Sequence, residues 1–154
     1  MASNGKNLEK KITEIKAQFM KSGNNLYLID QSATNIYGGD TKQADFGGVA
    51  KGRAFLLECK SSDKYRTFKE CRPKDYIKSA QYAGAKIQMR AGGYSLFVFY
   101  SEIFKITEYW CGSDICDAYK NGWKEYHTPI HTHSRLGNKT VLEALDLVFP
   151  LLSN

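Results

Sequence analysis

Asp45, Glu58 and Lys60 lie in the stretch QADFGGVAKGRAFLLECKSS, residues 43–62, whose other positions are mostly apolar or small. The segment RAFLLECK reads as a strand. Side chains alternate between the two faces of a strand, so Glu58 and Lys60 share one face while Phe55, Leu57 and Cys59 share the other. AKGR, with Lys51-Gly52 at its centre, reads as a hairpin turn back to QADFGGV. That turn sets Ala50 opposite Arg53 and, counting outward along both strands, Asp45 opposite Glu58. Directly opposed side chains lie about 4.5–5.5 Å apart at Cβ, where like charges destabilise a sheet unless a cation sits between them.

A divalent metal suits such a patch. Mg²⁺ prefers hard oxygen ligands and commonly takes one or two carboxylates, leaving positions for water and a substrate phosphate. Such an ion would offset phosphate charge and activate a water for in-line attack. The neighbouring Lys60 could hold that water or offset developing negative charge. The pattern D-x12-E-x-K has an equally simple second reading, in which Glu58 and Lys60 form a surface ion pair and Asp45 is solvated. Spacing alone leaves both open.

The elements that must position these residues follow from periodicity. Residues 5–21 read as a helix with Leu8, Ile12, Ile15 and Phe19 at helical spacing and Asn4 or Asn7 at its start. Glu9 borders that apolar stripe and reads either as part of a site or as a favourable first-turn acid. LYLID is a short strand, and QSATNIYGGDTK, residues 31–42, is a protruding loop too long and polar for a tight turn. CRPKDYIKSAQYAGAKIQMRAGG reads as one helix with Pro73 in its first turn and Gly92-Gly93 at its end. YSLFVFYSEI is apolar throughout, as for a central strand buried on both faces, and KITEYW reads as an edge strand. The histidines of HTPIHTH read as loop residues. NKTVLEALDLVFPLL closes the chain as an amphipathic helix with Val141, Leu145, Val148 and Leu152 on one side. The expectation is one α/β domain over residues 1–154, a mixed sheet flanked by helices.

Composition narrows the setting. At 154 residues, 42% hydrophobic and 25% charged, the chain suits one globular domain with a proper core. MASNGKNLEKK has no apolar run after its charges, and YSLFVFY and LVFPLL are far too short to span a bilayer. A cytoplasmic protein with no membrane partner is therefore expected. In that setting Cys59, Cys71, Cys111 and Cys116 should be reduced thiols. A zinc site from Cys111, Cys116 and the HTPIHTH histidines is the alternative, but the cysteine spacing is wider than the usual knuckle. A net charge of +6 suits a polyanion such as nucleic acid.

The motif D-x(n)-E-x-K between two helices resembles the core of the PD-(D/E)xK nuclease superfamily. NGKNLEKKI, ADFGGVAKGRAFLLECK, the glutamine in KSAQYAGAKI and the tail TPIHTHSRLGNKTVLEALDLVF together look like the RecU-type Holliday junction resolvases. The match runs in order over nearly the whole chain. It implies a restriction-endonuclease-like fold and a homodimer that, with Mg²⁺ or Mn²⁺, nicks two like strands of four-way junction DNA during recombination and repair. By position, Asp45 and Glu58 match the metal acids, with Glu9 the helix glutamate of the same site. Lys60 matches the catalytic lysine and Gln81 the glutamine of the following helix; on its own, Gln81 also reads as a polar residue of a surface helix. Residues 31–42 correspond to the stalk that enters the junction centre, where Tyr37 could stack on a base. Lys42, Lys51, Arg53, Lys64, Arg66 and Lys69 read either as solvated charges or as a track for the DNA phosphates.

Three departures stand beside the match. Gln43 and Ala44 replace the hydroxyl residues usual before the metal aspartate, the stalk segment is short and carries few basic residues, and the long N-terminal extension of bacterial members is missing. That compactness would suit a phage-encoded version acting in a bacterial cytoplasm. Three alternatives remain: a nuclease of the same superfamily with another DNA substrate, of restriction or repair type, a catalytically silent junction-binding protein, and a basic α/β domain with no metal response.

Overall fold

The chain is described from a computed structural model over residues 6–21, 26–30, 44–50, 52–124, 127–133, 148 and 150. Helix α1 (Lys6–Lys21) leads into strands β1 (Leu26–Asp30), β2 (Phe46–Ala50) and β3 (Arg53–Ser62). A 3-10 turn (Lys69–Cys71) and helices α2 (Pro73–Tyr76) and α3 (Ser79–Arg90) carry the chain to β4 (Tyr94–Ser101). Strand β5 (Ile106–Cys111), helix α4 (Gly112–Asn121) and strand β6 (His131–His133) complete the described elements.

The strands form one six-stranded sheet in the order β1-β2-β3-β4-β5-β6. Among the described strands the central β3–β4 pair alone is parallel; its neighbours are antiparallel. A parallel pair needs a long crossover, and residues 63–93 with α2 and α3 supply it. The mixed α/β architecture expected from the sequence is therefore present. The β2–β3 hairpin also has the expected register, from Ala50↔Arg53 to Phe46↔Leu57. Gly52 has φ +78° in its turn, a conformation glycine adopts without a Cβ penalty.

Two apolar layers cover the sheet. On one side Leu8 and Ile12 of α1 pack with Leu28, Phe46, Phe55, Leu57, Cys59, Leu96, Val98 and Tyr109. On the other, Phe97, Phe99 and Trp110 meet Phe68, Ile77, Ala85, Ile115 and Cys116 from the crossover and α4. Every residue of β4 is buried, as its continuous apolar sequence demands. Among the described residues, no helix is long and apolar enough to cross a membrane.

Several expectations need correction. The single helix after residue 71 is broken: Ile77 is extended (φ −103°, ψ 123°) and buried, so α2 ends and α3 begins afresh. Its extended backbone lets the Ile77 side chain join the core, at the expense of continuous helical hydrogen bonding. Residues 112–121, to which the sequence pattern assigned no element, form α4, with Ile115 and Ala118 buried and Gly122 in the left-handed conformation at its end (φ 62°). KITEYW is not an edge strand, because His131–His133 pairs with Thr107–Tyr109, and His131 and His133 are therefore strand and not loop residues. The loop at residues 31–42 and nearly all of the expected closing helix lie outside the described residues; Val148 is buried in the α1-side core.

Gly48 explains one feature of ADFGGV. A Cβ there would lie 1.7 Å from the Tyr27 carbonyl oxygen on β1, a backbone atom that can move only if the strands part. Gly48→Ala should therefore destabilise the fold by about 1–3 kcal/mol, the usual cost of an overpacked position. A thermal melt checks this; an unchanged melting temperature would mean that β1 and β2 are not held so close.

Candidate active site

The site is built on β3. Glu58 and Lys60 project to the face where their β4 neighbours, Phe97 and Phe99, join the crossover core. Both are almost wholly enclosed, at 4% and 3% exposure. A surface ion pair is thus ruled out in favour of a buried one: Lys60 Nζ lies 3.3 Å from Glu58 Oε1. Buried charges are costly unless paired and hydrogen-bonded, so the remaining contacts decide how the patch is tolerated.

Gln81, in the first turn of α3, supplies them. Its Nε2 donates to Glu58 Oε1 at 2.9 Å, and its Oε1 accepts from Lys60 Nζ at 3.1 Å and from the Lys78 backbone N–H at 3.0 Å. This pattern fixes the amide: turned over, it would aim its NH₂ at an ammonium and an N–H. The restart of the helix after Ile77 puts Gln81 at that spot, so the break in the crossover bears directly on the site. Gln81 is buried and not a surface residue.

Asp45 arrives by a route that alternation does not reveal. The ladder stops at Phe46↔Leu57, and the Asp45 N–H donates to the Leu57 carbonyl at 3.1 Å, so β2 carries one extra residue here, as in a bulge. The direct opposition of Asp45 and Glu58 is thereby corrected. The Asp45 carboxylate instead takes the place of a ladder acceptor, its Oδ2 receiving the Cys59 N–H at 2.8 Å. Asp45 is 5% exposed and near enough to act on Glu58. Burial lifts the Glu58 carboxyl well above the usual carboxylate range, the Asp45 charge lifts it further, and Lys60 offsets only part of this.

One atom in the patch is left without a donor. Glu58 Oε2 is fully buried and receives no hydrogen bond from a donor group, while the Asp45 carboxylate stands within side-chain hydrogen-bonding reach of the Glu58 carboxyl, so a shared proton or a cation would join the two. A buried carboxylate oxygen beside a second carboxylate is what a hard cation would satisfy, and Asp45 with Glu58 is a donor set of the kind Mg²⁺ or Mn²⁺ takes. Asp45 and Glu58 would hold the ion. Among the described residues no three His, Cys, Asp or Glu groups converge on one point. Ala44, Leu56, Ala85, Ser95 and Phe97 line a small gap with Glu58 and Gln81.

The other expected residues are more scattered. Glu9 is half-buried on α1, which packs on the opposite face of the sheet; its charge is felt at Cys59, whose thiol is pushed up chiefly by burial and then by Asp45, Glu58 and Glu9. Arg53 is half-buried and committed: its Nε and Nη2 donate to the Gly92 carbonyl at 3.0 and 2.6 Å, and its guanidinium lies 3.8 Å from the Tyr94 ring centroid. It staples the hairpin to the end of α3. Lys64, Arg66 and Lys69 are exposed in the segment that leaves β3. Tyr37, Lys42 and Lys51 lie outside the described residues.

Sequence reasoning missed Glu108. It is buried on β5 beside Phe99, with Oε1 accepting the Phe68 N–H at 2.8 Å and the Trp110 Nε1–H at 3.3 Å. Burial pushes its carboxyl up while those two donors pull it down, and its role is to anchor the 3-10 turn. The alternation in KITEYW could have placed Glu108 and Trp110 on one face. Cys111 and Cys116 belong to the cores on opposite sides of the sheet.

No protein-family model matches the chain, and no curated protein matches it.

The raised Glu58 carboxyl gives a stability prediction. An acid with a folded-state pKa above its unfolded one favours the fold most below the unfolded value, about 4.3, and loses that contribution as pH rises through the folded value. In chelator at neutral pH, Glu58→Gln should therefore melt higher than the unsubstituted protein, by about 2–4 °C for each kcal/mol relieved. Lowering the pH towards 4 should shrink the gap. A variant that melts lower at neutral pH would mean that Lys60 and Gln81 more than compensate the Asp45–Glu58 repulsion.

Proposed function

We propose that the protein is a metal-dependent DNA endonuclease of the PD-(D/E)xK kind, acting on four-way junctions as a homodimeric, RecU-like resolvase. The observation that carries this reading is the division of labour at Glu58: Oε1 is locked by Lys60 and Gln81, while Oε2 is buried, without a donor and close to Asp45. Asp45 caps the Cys59 N–H, but its charge raises the buried Glu58 carboxyl, a conflict that a bound cation would relieve. The mixed sheet with its central parallel pair and the helices on both faces suit a restriction-endonuclease-like core. The net charge of +6 suits a phosphate polymer.

The chain's own residues divide the work of hydrolysis. A bound Mg²⁺ or Mn²⁺ would supply charge for the phosphate and acidity for the attacking water. Asp45 is oriented for its part by the Cys59 N–H, and Glu58 by the Gln81 amide. Lys60 Nζ, fixed between Glu58 and Gln81, is a preorganised cation that can orient the water or offset charge developing on the phosphate. Phe97 and Phe99 floor the patch and keep the local dielectric low, which strengthens each of these interactions. Two matched cuts require two such sites, and a two-fold dimer of a one-site chain provides them.

The decisive experiment incubates purified protein with synthetic four-way junction and with linear duplex, in Mg²⁺ and in chelator. Metal-dependent paired nicks confined to the junction are expected. Asp45→Asn and Glu58→Gln should abolish nicking yet retain junction binding, and Lys60→Met should slow nicking by about 10²–10³-fold, the range for losing one donor aimed at developing charge. Near-normal nicking by the Asp45 or Glu58 variant would sink the metal assignment. Cutting of duplex as fast as junction would leave a nuclease of the same superfamily with another substrate.

A further inference from the structure

A second feature stands at the end of the strands that carry the site. The Lys60↔Phe99 rung lies two residues before Ser62↔Ser101, where β3 and β4 stop. Beyond it the chain turns through residues 102–105, and this turn is built rigidly. The Glu102 N–H donates to the Ser62 carbonyl (2.8 Å), the Lys105 N–H to the Ser101 carbonyl (2.8 Å), and the Phe104 N–H to Ser101 Oγ (3.3 Å). Ser101 Oγ in turn donates to the Tyr65 carbonyl at 2.8 Å, tying the turn to the segment leaving β3. Ser62 Oγ accepts the N–H groups of Lys64 and Tyr65, and Lys105 is held at φ +57°, which a lysine rarely adopts.

This scaffold presents two apolar side chains to solvent, Ile103 at 58% exposure and Phe104 at 48%. Cations flank them. The Arg66 guanidinium stands 5.6 Å from the Phe104 ring centroid, and Lys64 Nζ stands 5.1 Å from that of Tyr65. Asp63 and Glu102 are the acids of the same segments, against Lys64, Arg66 and Lys105. Single exposed apolar residues are ordinary, but adjacent ones on a pinned turn, with guanidinium and ammonium groups over the nearby rings, form a preshaped apolar point in a cationic collar. Apolar side chains that wedge between base steps while neighbouring cations take the phosphates are a recurrent mode of DNA binding.

We propose that the Ile103–Phe104 turn is a second DNA contact, a wedge that engages the bases next to the branch while the β3 site engages the scissile phosphate. The proposal rests on the nuclease reading given above and adds a residue pair that decides which DNA is held. The distance suits it: the turn lies about 10–15 Å from Lys60 along the strands, or about three or four base steps.

The test uses full-length Glu58→Gln protein, which should not cut, and junction DNA carrying a fluorescent purine analogue beside the branch, with linear duplex as the comparison. Binding should brighten the analogue in the junction as the base unstacks. Adding Ile103→Ser and Phe104→Ser should remove that signal and weaken junction binding by about tenfold, the size of one lost stacking contact, with duplex binding and melting temperature unchanged. Arg66→Gln alone should give a smaller loss in the same direction. Equal brightening and equal affinity without the two apolar side chains would overturn the wedge and leave the nuclease reading standing. So would a change from dimer to monomer with base unstacking retained, which would make the turn a protein contact. If the metal-loaded unsubstituted protein neither binds nor cuts any DNA, the nuclease reading fails, and the wedge with it.

Discussion

The structure turns on one buried carboxylate that is only half satisfied. Glu58 places one oxygen between an ammonium and an amide and leaves the other without a donor near Asp45. Such an arrangement is expensive in the middle of a sheet, and much of the surrounding architecture supports it. The parallel β3–β4 pair needs the long crossover that delivers Gln81, and the break at Ile77 sets where α3 starts. The extra residue at the start of β2 turns the Asp45 carboxylate onto the Cys59 N–H. On the far side, Leu57 and Cys59 are locked into the α1 core, so β3 cannot rotate to release its charges to water.

The positive residues around this patch fall into two groups. Arg53 is consumed in stabilising the fold, through the Gly92 carbonyl and the Tyr94 ring. Replacing it would loosen the hairpin before it changed any phosphate contact, so a loss of DNA binding on such a change would say little about recognition. Lys64, Arg66 and Lys69 are exposed where the chain leaves β3, a short way along the strand from Lys60. On the nuclease reading, electrostatic attraction and site chemistry would be carried by neighbouring but separate parts of the same strand and its exit.

How much of this was legible in the sequence depended on whether local pattern or distant packing set each feature. Period-two alternation put Glu58 and Lys60 on one face, and the Lys51-Gly52 turn set the hairpin register as far as Phe46↔Leu57. Alternation failed one residue later, at Asp45, because a bulge is specified by how the strand end meets its partner. The apolar run of β4 announced its central place. Helix α4 was hidden because GSDICDAYKN has few large apolar residues and two of its core contacts come from Cys116 and Ala118. Strand β6 is three residues long and exists only because β5 offers an edge. Gln81 was named only through the family resemblance, and local pattern could not show its bridge because its partners lie more than twenty positions away on β3.

Direct binding of Mn²⁺, followed by electron paramagnetic resonance in the absence of DNA, tests the central claim at its root. One site per chain is expected, emptied by competing Mg²⁺ and lost when Asp45 and Glu58 are changed to Asn and Gln. Undiminished Mn²⁺ binding by that double variant would place any metal elsewhere and contradict the role assigned to Glu58 Oε2.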